Sequence, residues 1–138
     1  MSARVLVVGA GGREHALAWA LARSERVGEV LALPGNAGSA RCARTLPDPR
    51  DIEAVAALAA SERVDLVVIG PEAPLVAGLA DACHARGLAV YGPSAAAARL
   101  EASKADAKAF MERHGVPSAP AERRRRSQCS SNANRTPS

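Results

Sequence analysis

Three glycines within four residues, Gly9-Ala10-Gly11-Gly12, run directly into Arg13 near the start of this 138-residue chain. Glycine lets a backbone come close to a ligand, because no Cβ stands in the way. A helix that begins here has unbonded N–H groups and the positive end of its dipole facing the turn, which suits a phosphate. Arg13, at that helix start, adds a charge-assisted donor. Three further turns have the same character: Pro34-Gly35-Asn36-Ala37-Gly38, Gly70-Pro71-Glu72-Ala73-Pro74 and Gly92-Pro93-Ser94. Gly35, Asn36, Gly70, Pro71 and Glu72 therefore join Gly9, Gly11, Gly12 and Arg13 as candidate binding residues. Each also has a plainer reading. The glycines make a strand-to-helix turn in any α/β fold, Arg13 is a solvated helix residue, Asn36 stabilises a left-handed turn, and Glu72 caps one.

Other chemistries are less well served. Gly9-x-Gly11-x-x-Glu14 has a glutamate where a dinucleotide fingerprint needs its third glycine. The second strand ends in Pro34-Gly35 rather than in the acid that meets a ribose, and Glu29 stands at the wrong end of it. A stand-alone nucleotide- or dinucleotide-binding module is the alternative reading, with these two marks against it. Glu14 is expected to complement the helix dipole, and His15 to be a packing histidine without a nucleophile or acid beside it. Cys42, Cys83 and Cys129 are far apart, form no C-x-x-C pair and have no histidine cluster to complete a metal site. They read as reduced thiols.

The turns need elements to position them. Val5–Val8, Val30–Leu33, Leu66–Ile69 and Leu88–Tyr91 are short runs apolar on both faces, as in a parallel sheet covered on both sides. Between them, residues 13–23, 52–61, 75–86, 94–101 and 103–114 carry helical spacing. Gly87 and Gly115 are placed to end two of these helices, and Ser103 to begin one. An edge strand is expected around residues 44–46. The order predicts a doubly wound parallel α/β domain, with every turn named above on the carboxyl edge of the sheet, where open α/β folds bind ligands.

Composition agrees. One core is expected at this length, and with aromatics at 2% it must be built from Ala, Val, Leu and Ile. Residues 1–120 carry 13 basic and 13 acidic side chains, while residues 121–138 carry five Arg and one Glu, so the net charge of +4 belongs to the tail. A balanced domain with few rings argues against nucleic acid as a specific partner. No run is long enough to span a membrane and no signal peptide is evident, so a cytoplasmic location is expected. The Arg123–Arg126 run and the polar residues after it lack apolar periodicity, which predicts a domain over 1–118 and a disordered basic tail over 119–138.

Read together, the turns resemble a known family. Val5-Leu6-Val7-Val8-Gly9-Ala10-Gly11-Gly12-Arg13-Glu14-His15-Ala16-Leu17-Ala18-Trp19 resembles the opening of phosphoribosylamine–glycine ligases, also called glycinamide ribonucleotide synthetases. Pro34–Gly38, Gly70–Val76, Gly92-Pro93, Leu100-Glu101, Ser103-Lys104, Phe110-Met111 and His114–Pro117 continue the resemblance in order, to about residue 119. It implies a Rossmann-like, pre-ATP-grasp domain of a carbon–nitrogen ligase of purine biosynthesis. That enzyme joins glycine to 5-phosphoribosylamine through an acyl phosphate, using ATP and Mg²⁺ (or Mn²⁺). It further implies that Gly9–Arg13, Asn36 and Glu72 face the phosphorylated sugar amine and that Lys104 faces ATP. The family's ATP-grasp domain does not follow Pro120 here. No turnover is therefore expected from this chain alone, whether it is a truncated or frame-shifted product or is complemented by an ATP-grasp polypeptide.

Overall fold

A computed structural model describes residues 2–118. The expected tail lies outside the described residues. Five strands form one wholly parallel sheet: β1 (Ala3–Gly9), β2 (Val27–Pro34), β3 (Arg44–Thr45), β4 (Leu66–Ile69) and β5 (Ala89–Tyr91), in the spatial order β3-β2-β1-β4-β5. The helices are α1 (Gly12–Ala22), α2 (Ile52–Ser61), α3 (Glu72–Val76), α4 (Leu79–His84), α5 (Ala95–Ala102) and α6 (Lys104–Arg113), with a 3₁₀ turn over Ser39–Arg41. This is the doubly wound α/β architecture that the apolar runs predict.

Alternation along each strand divides the core into two layers. Leu6 and Val8 of β1, Leu31 and Leu33 of β2, and Val67 and Ile69 of β4 face one side, where Val55, Ala56 and Ala59 of α2 and Leu79 and Cys83 of α4 bury them. Val5, Val7, Val30 and Val68 face the other side, against Ala18, Leu17 and Leu21 of α1. The fully buried Ala18 is the smallest side chain in that contact and lets α1 lie close to the sheet.

The helix ends follow their residues. Asp51 accepts from the Ala54 amide at 2.9 Å to start α2, and Ser103 from the Asp106 amide at 3.2 Å to start α6. Gly87 and Gly115 take positive φ just beyond the ends of α4 and α6, as expected. The single helix expected over 75–86 is corrected to two. α3 starts earlier, at Glu72 after Pro71, and the chain breaks at Ala77-Gly78, with Gly78 at φ +96°. Leu75, Leu79 and Cys83 keep a spacing of four across the break, so the apolar pattern carries no trace of it.

Candidate functional site

A parallel sheet places all its strand exits on one edge, and two assemblies of residues stand there. The first is a cleft of about 490 Å³, floored by Val8 and Leu33 and walled by Gly9, Pro34 and Pro71, with Asp48, Arg50 and Asp51 at its charged side. Its walls come from the exits of β1, β2 and β4 and from the segment that leads into α2, and its size is that of an ordinary small-molecule site. Arg50 adopts φ +60°, and its amide donates to Asp48 Oδ1 at 2.8 Å. Sequence reasoning passed over Asp48, Arg50 and Asp51. The one signal present, Asp51 before the apolar run of α2, is a helix-start signal.

The second assembly is a bracket of hydrogen bonds that ties the exits of β1, β2 and β4 together. Asn36 Oδ1 accepts from the amides of Gly38 at 2.8 Å and Ser39 at 2.9 Å, which folds the loop after β2. Its Nδ2 donates to the carbonyls of Ala10 at 2.9 Å and Gly11 at 3.1 Å, which joins that loop to the glycine turn. The Gly35 amide donates to the Gly9 carbonyl at 3.2 Å beside it. Arg13 reaches the other way. Its Nε donates to Glu14 Oε1 at 3.0 Å and its NH2 to the Gly70 carbonyl at 2.5 Å, past the end of β4. The Arg13 side chain nevertheless stays 68% exposed, so part of its guanidinium fork still faces solvent.

Glu14 is the centre of this bracket, and it is 95% buried although Ala10, Gly11, Gly12 and Arg13 beside it are exposed. Its Oε2 accepts from the Gly11 amide at 2.8 Å. The space it fills is supplied by three glycines. A Cβ on Gly9 would stand 2.6 Å from Glu14 Cγ, a Cβ on Gly11 2.6 Å from Oε2, and a Cβ on Gly70 would overlap Oε1. Gly9 also has φ +130°. At Gly9 and Gly70 a Cβ would press on the inner atoms of the Glu14 side chain, so the protein itself excludes larger residues there, while at Gly11 it would meet only the outer carboxylate oxygen. Burial pushes the Glu14 carboxyl upward, but bonds from Arg13, the Gly11 amide and its own amide, with the Arg13 charge, outweigh burial. They hold the group below the ordinary carboxylate value. In the sequence Glu14 signals only a favourable first-turn acid, because Gly9 and Gly70 stand at the exits of different strands. His15, as expected, packs, with its ring against Gly38.

The bracket therefore unites Gly9, Gly11, Arg13, Gly35, Asn36 and Gly70, and the cleft adds Pro71. Gly12 opens α1, Glu72 is the exposed first residue of α3, and Lys104 is the exposed first residue of α6. None of these three lines the cleft.

The turns that build this rim match a described family. A family model for the N domain of phosphoribosylglycinamide synthetase matches residues 3–101. The chain belongs to that family. The N domain also matches the phosphoribosylamine–glycine ligase of Xylella fastidiosa at 52% identity over 119 residues, 84% of this chain and 28% of that protein. The human trifunctional purine biosynthetic protein adenosine-3 is 48% identical over 122 residues, 86% of this chain and 12% of that one. The crystal structure of phosphoribosylamine–glycine ligase from Thermotoga maritima superposes with a TM-score of 0.59 at 33% identity, over 81% of this chain and 25% of that one. The chain thus spans little more than a quarter of the bacterial relatives it matches. The stand-alone dinucleotide reading gains nothing from these matches.

Among the described residues no group of three or more His, Cys, Asp or Glu side chains comes together as a metal site. Lys104, which the resemblance implies faces ATP, lines neither the cleft nor the polar hollow at the opposite sheet edge, by Arg4, Glu29 and Asp65. These residues do not by themselves fit a nucleotide or its Mg²⁺.

Proposed function

We propose that this N domain forms the sugar-phosphate wall of an ATP-dependent ligase that joins glycine to 5-phosphoribosylamine in purine biosynthesis, and that it works in the cytoplasm. The single observation that carries the reading is the convergence of three strand exits on one small-molecule cleft in a chain of this family. In this reading the ribose lies over the apolar floor made by Val8 and Leu33. Its phosphate meets the outward donors of the glycine turn, the Gly12 and Arg13 amides and the free edge of the Arg13 guanidinium. Gly35, Asn36, Gly70 and Pro71 act by holding that turn in place, and Glu72, at the mouth of the β4 exit, faces the amine side of the sugar.

The chemistry of amide formation needs an activated glycine carboxylate, which ATP supplies in such ligases. Lys104 faces the nucleotide when the ATP-grasp part is present, in this chain's longer relatives or on a complementing polypeptide. The N domain's own contribution is orientation: it fixes the sugar so that its amine points out of the cleft.

Calorimetry with ribose 5-phosphate and glycinamide ribonucleotide tests the reading. Both are expected to bind weakly, and substitution Arg13→Ala to weaken them by about tenfold. NADH binding with no response to either sugar phosphate would overturn it.

A further inference from the structure

A parallel sheet of order 3-2-1-4-5 has one switch point, between β1 and β4, where the connections leave for opposite faces. Folds of this topology seat a dinucleotide's pyrophosphate there, on the amides at the start of the first helix. In this chain that inner seat is filled. The Glu14 side chain lies between the exits of the two strands, occupying the Cβ space of Gly9 and Gly11 on one side and of Gly70 on the other. Its carboxylate takes the Gly11 amide. Arg13 closes over it with one bond to Glu14 and one to the Gly70 carbonyl, so the seat is bridged from above.

We infer that Glu14 is the specificity-determining residue of this rim: a built-in anion that occupies the pyrophosphate seat, holds Arg13 across it, and confines ligands to the outer lip and the neighbouring cleft. Two features separate this role from simple capping of α1. A first-turn glutamate that only caps a helix needs no glycine at the exit of a distant strand, yet Gly70 has no room for a side chain because of Glu14. Such a glutamate also needs no cation across it, yet Arg13 links it to the end of β4. With a carboxylate already in the seat, a second anion there meets like charge at short range and finds the Gly11 donor taken. A single phosphate on the outer lip meets neither obstacle.

The test is binding of ADP-ribose and NADH to the full chain and to Glu14→Ala, Glu14→Gly and Glu14→Gln. The wild type is expected to bind neither measurably. Glu14→Ala and Glu14→Gly empty the seat and are expected to gain about tenfold or more in ADP-ribose affinity. Glu14→Gln keeps the seat filled but removes its charge, and is expected to gain clearly less than Ala or Gly. If Ala or Gly at this position impairs folding, NMR of the wild type still decides: the Gly11 amide is expected to keep its shift through an ADP-ribose titration. Wild-type binding of ADP-ribose through the Gly11 amide overturns the inference, as does a folded Ala variant that gains nothing or a Gln variant that gains as much as Ala. Ribose 5-phosphate measured in parallel tests the proposed function separately, since its outcome does not depend on whether the inner seat opens.

Discussion

Asn36 uses both acceptor and both donor positions of its amide inside the protein, two within its own loop and two across to the glycine turn. Its value lies in joining two exits, and the substitutions separate the two halves of that work. Asn36→Ala loses all four bonds and is expected to cost about 1–3 kcal/mol in urea denaturation. Asn36→Asp keeps the acceptors that fold the 36–39 loop but sets a carboxylate oxygen against the Ala10 and Gly11 carbonyls, so it should lose at least as much stability as Ala and weaken ribose 5-phosphate as much. An Asp variant as stable as the wild type would contradict the bridge.

Glu14 has a pH signature. Its folded-state pKa is lowered from the ordinary 4.5, so its contribution to stability is complete above that value and disappears as pH falls through the lowered one. Thermal melts are expected to drop on acidification below about pH 4.5, and Glu14→Gln to flatten that drop only in part. Glu29 and Glu62 keep the remainder, since bonds from Arg44 lower both of them as well. An unchanged acid limb in Glu14→Gln would show that the carboxyl is not lowered by its surroundings. At this scale the sequence was least informative. Gly9, Gly11 and Gly70 are evident as glycines, but the reason for them, a glutamate that fills their Cβ space, joins residues 14 and 70, and nothing local connects the two.

The elements were largely legible because their signals are local. Four apolar runs became four strands, and even the two-residue β3 fell where an edge strand was expected. Asp51 and Ser103 are single residues whose side chains start helices wherever the chain permits. The split of α3 from α4 was hidden because the apolar spacing passes through it, and only Gly78 marks the place. Gly78 has φ +96° with open space around it, so Gly78→Ala is expected to destabilise by about 1 kcal/mol from backbone strain alone. Gly12 also has open space but no such φ, and begins α1. Gly12→Ala is expected to be neutral or to stabilise by about 0.5 kcal/mol. Chemical denaturation of the pair checks both signs. The ion pairs that anchor β3, from Arg44 to Glu29 at 2.8 Å and to Glu62 at 2.6 Å, were not foreseeable, because they depend on how three distant segments meet at the sheet's edge.

For the molecule as a whole, the two-layer core and the ligand edge follow from one arrangement, a parallel sheet whose strands all leave on the same side. The buried layer is where stability resides: Leu31, fully buried, should cost about 2–5 kcal/mol as Leu31→Ala. Tyr91 is 71% exposed on the edge strand β5, and Tyr91→Ala should change stability little. The central claim is that the exits of β1, β2 and β4 form one sugar-phosphate site, and amide NMR with ribose 5-phosphate tests it most directly. The account predicts that Gly9, Gly12, Arg13, Gly35 and Pro71's neighbour Glu72 shift together in one saturable transition, while Glu29 and Asp65 at the opposite edge stay still. Shifts scattered over both edges, or confined to the Glu29 side, would contradict it.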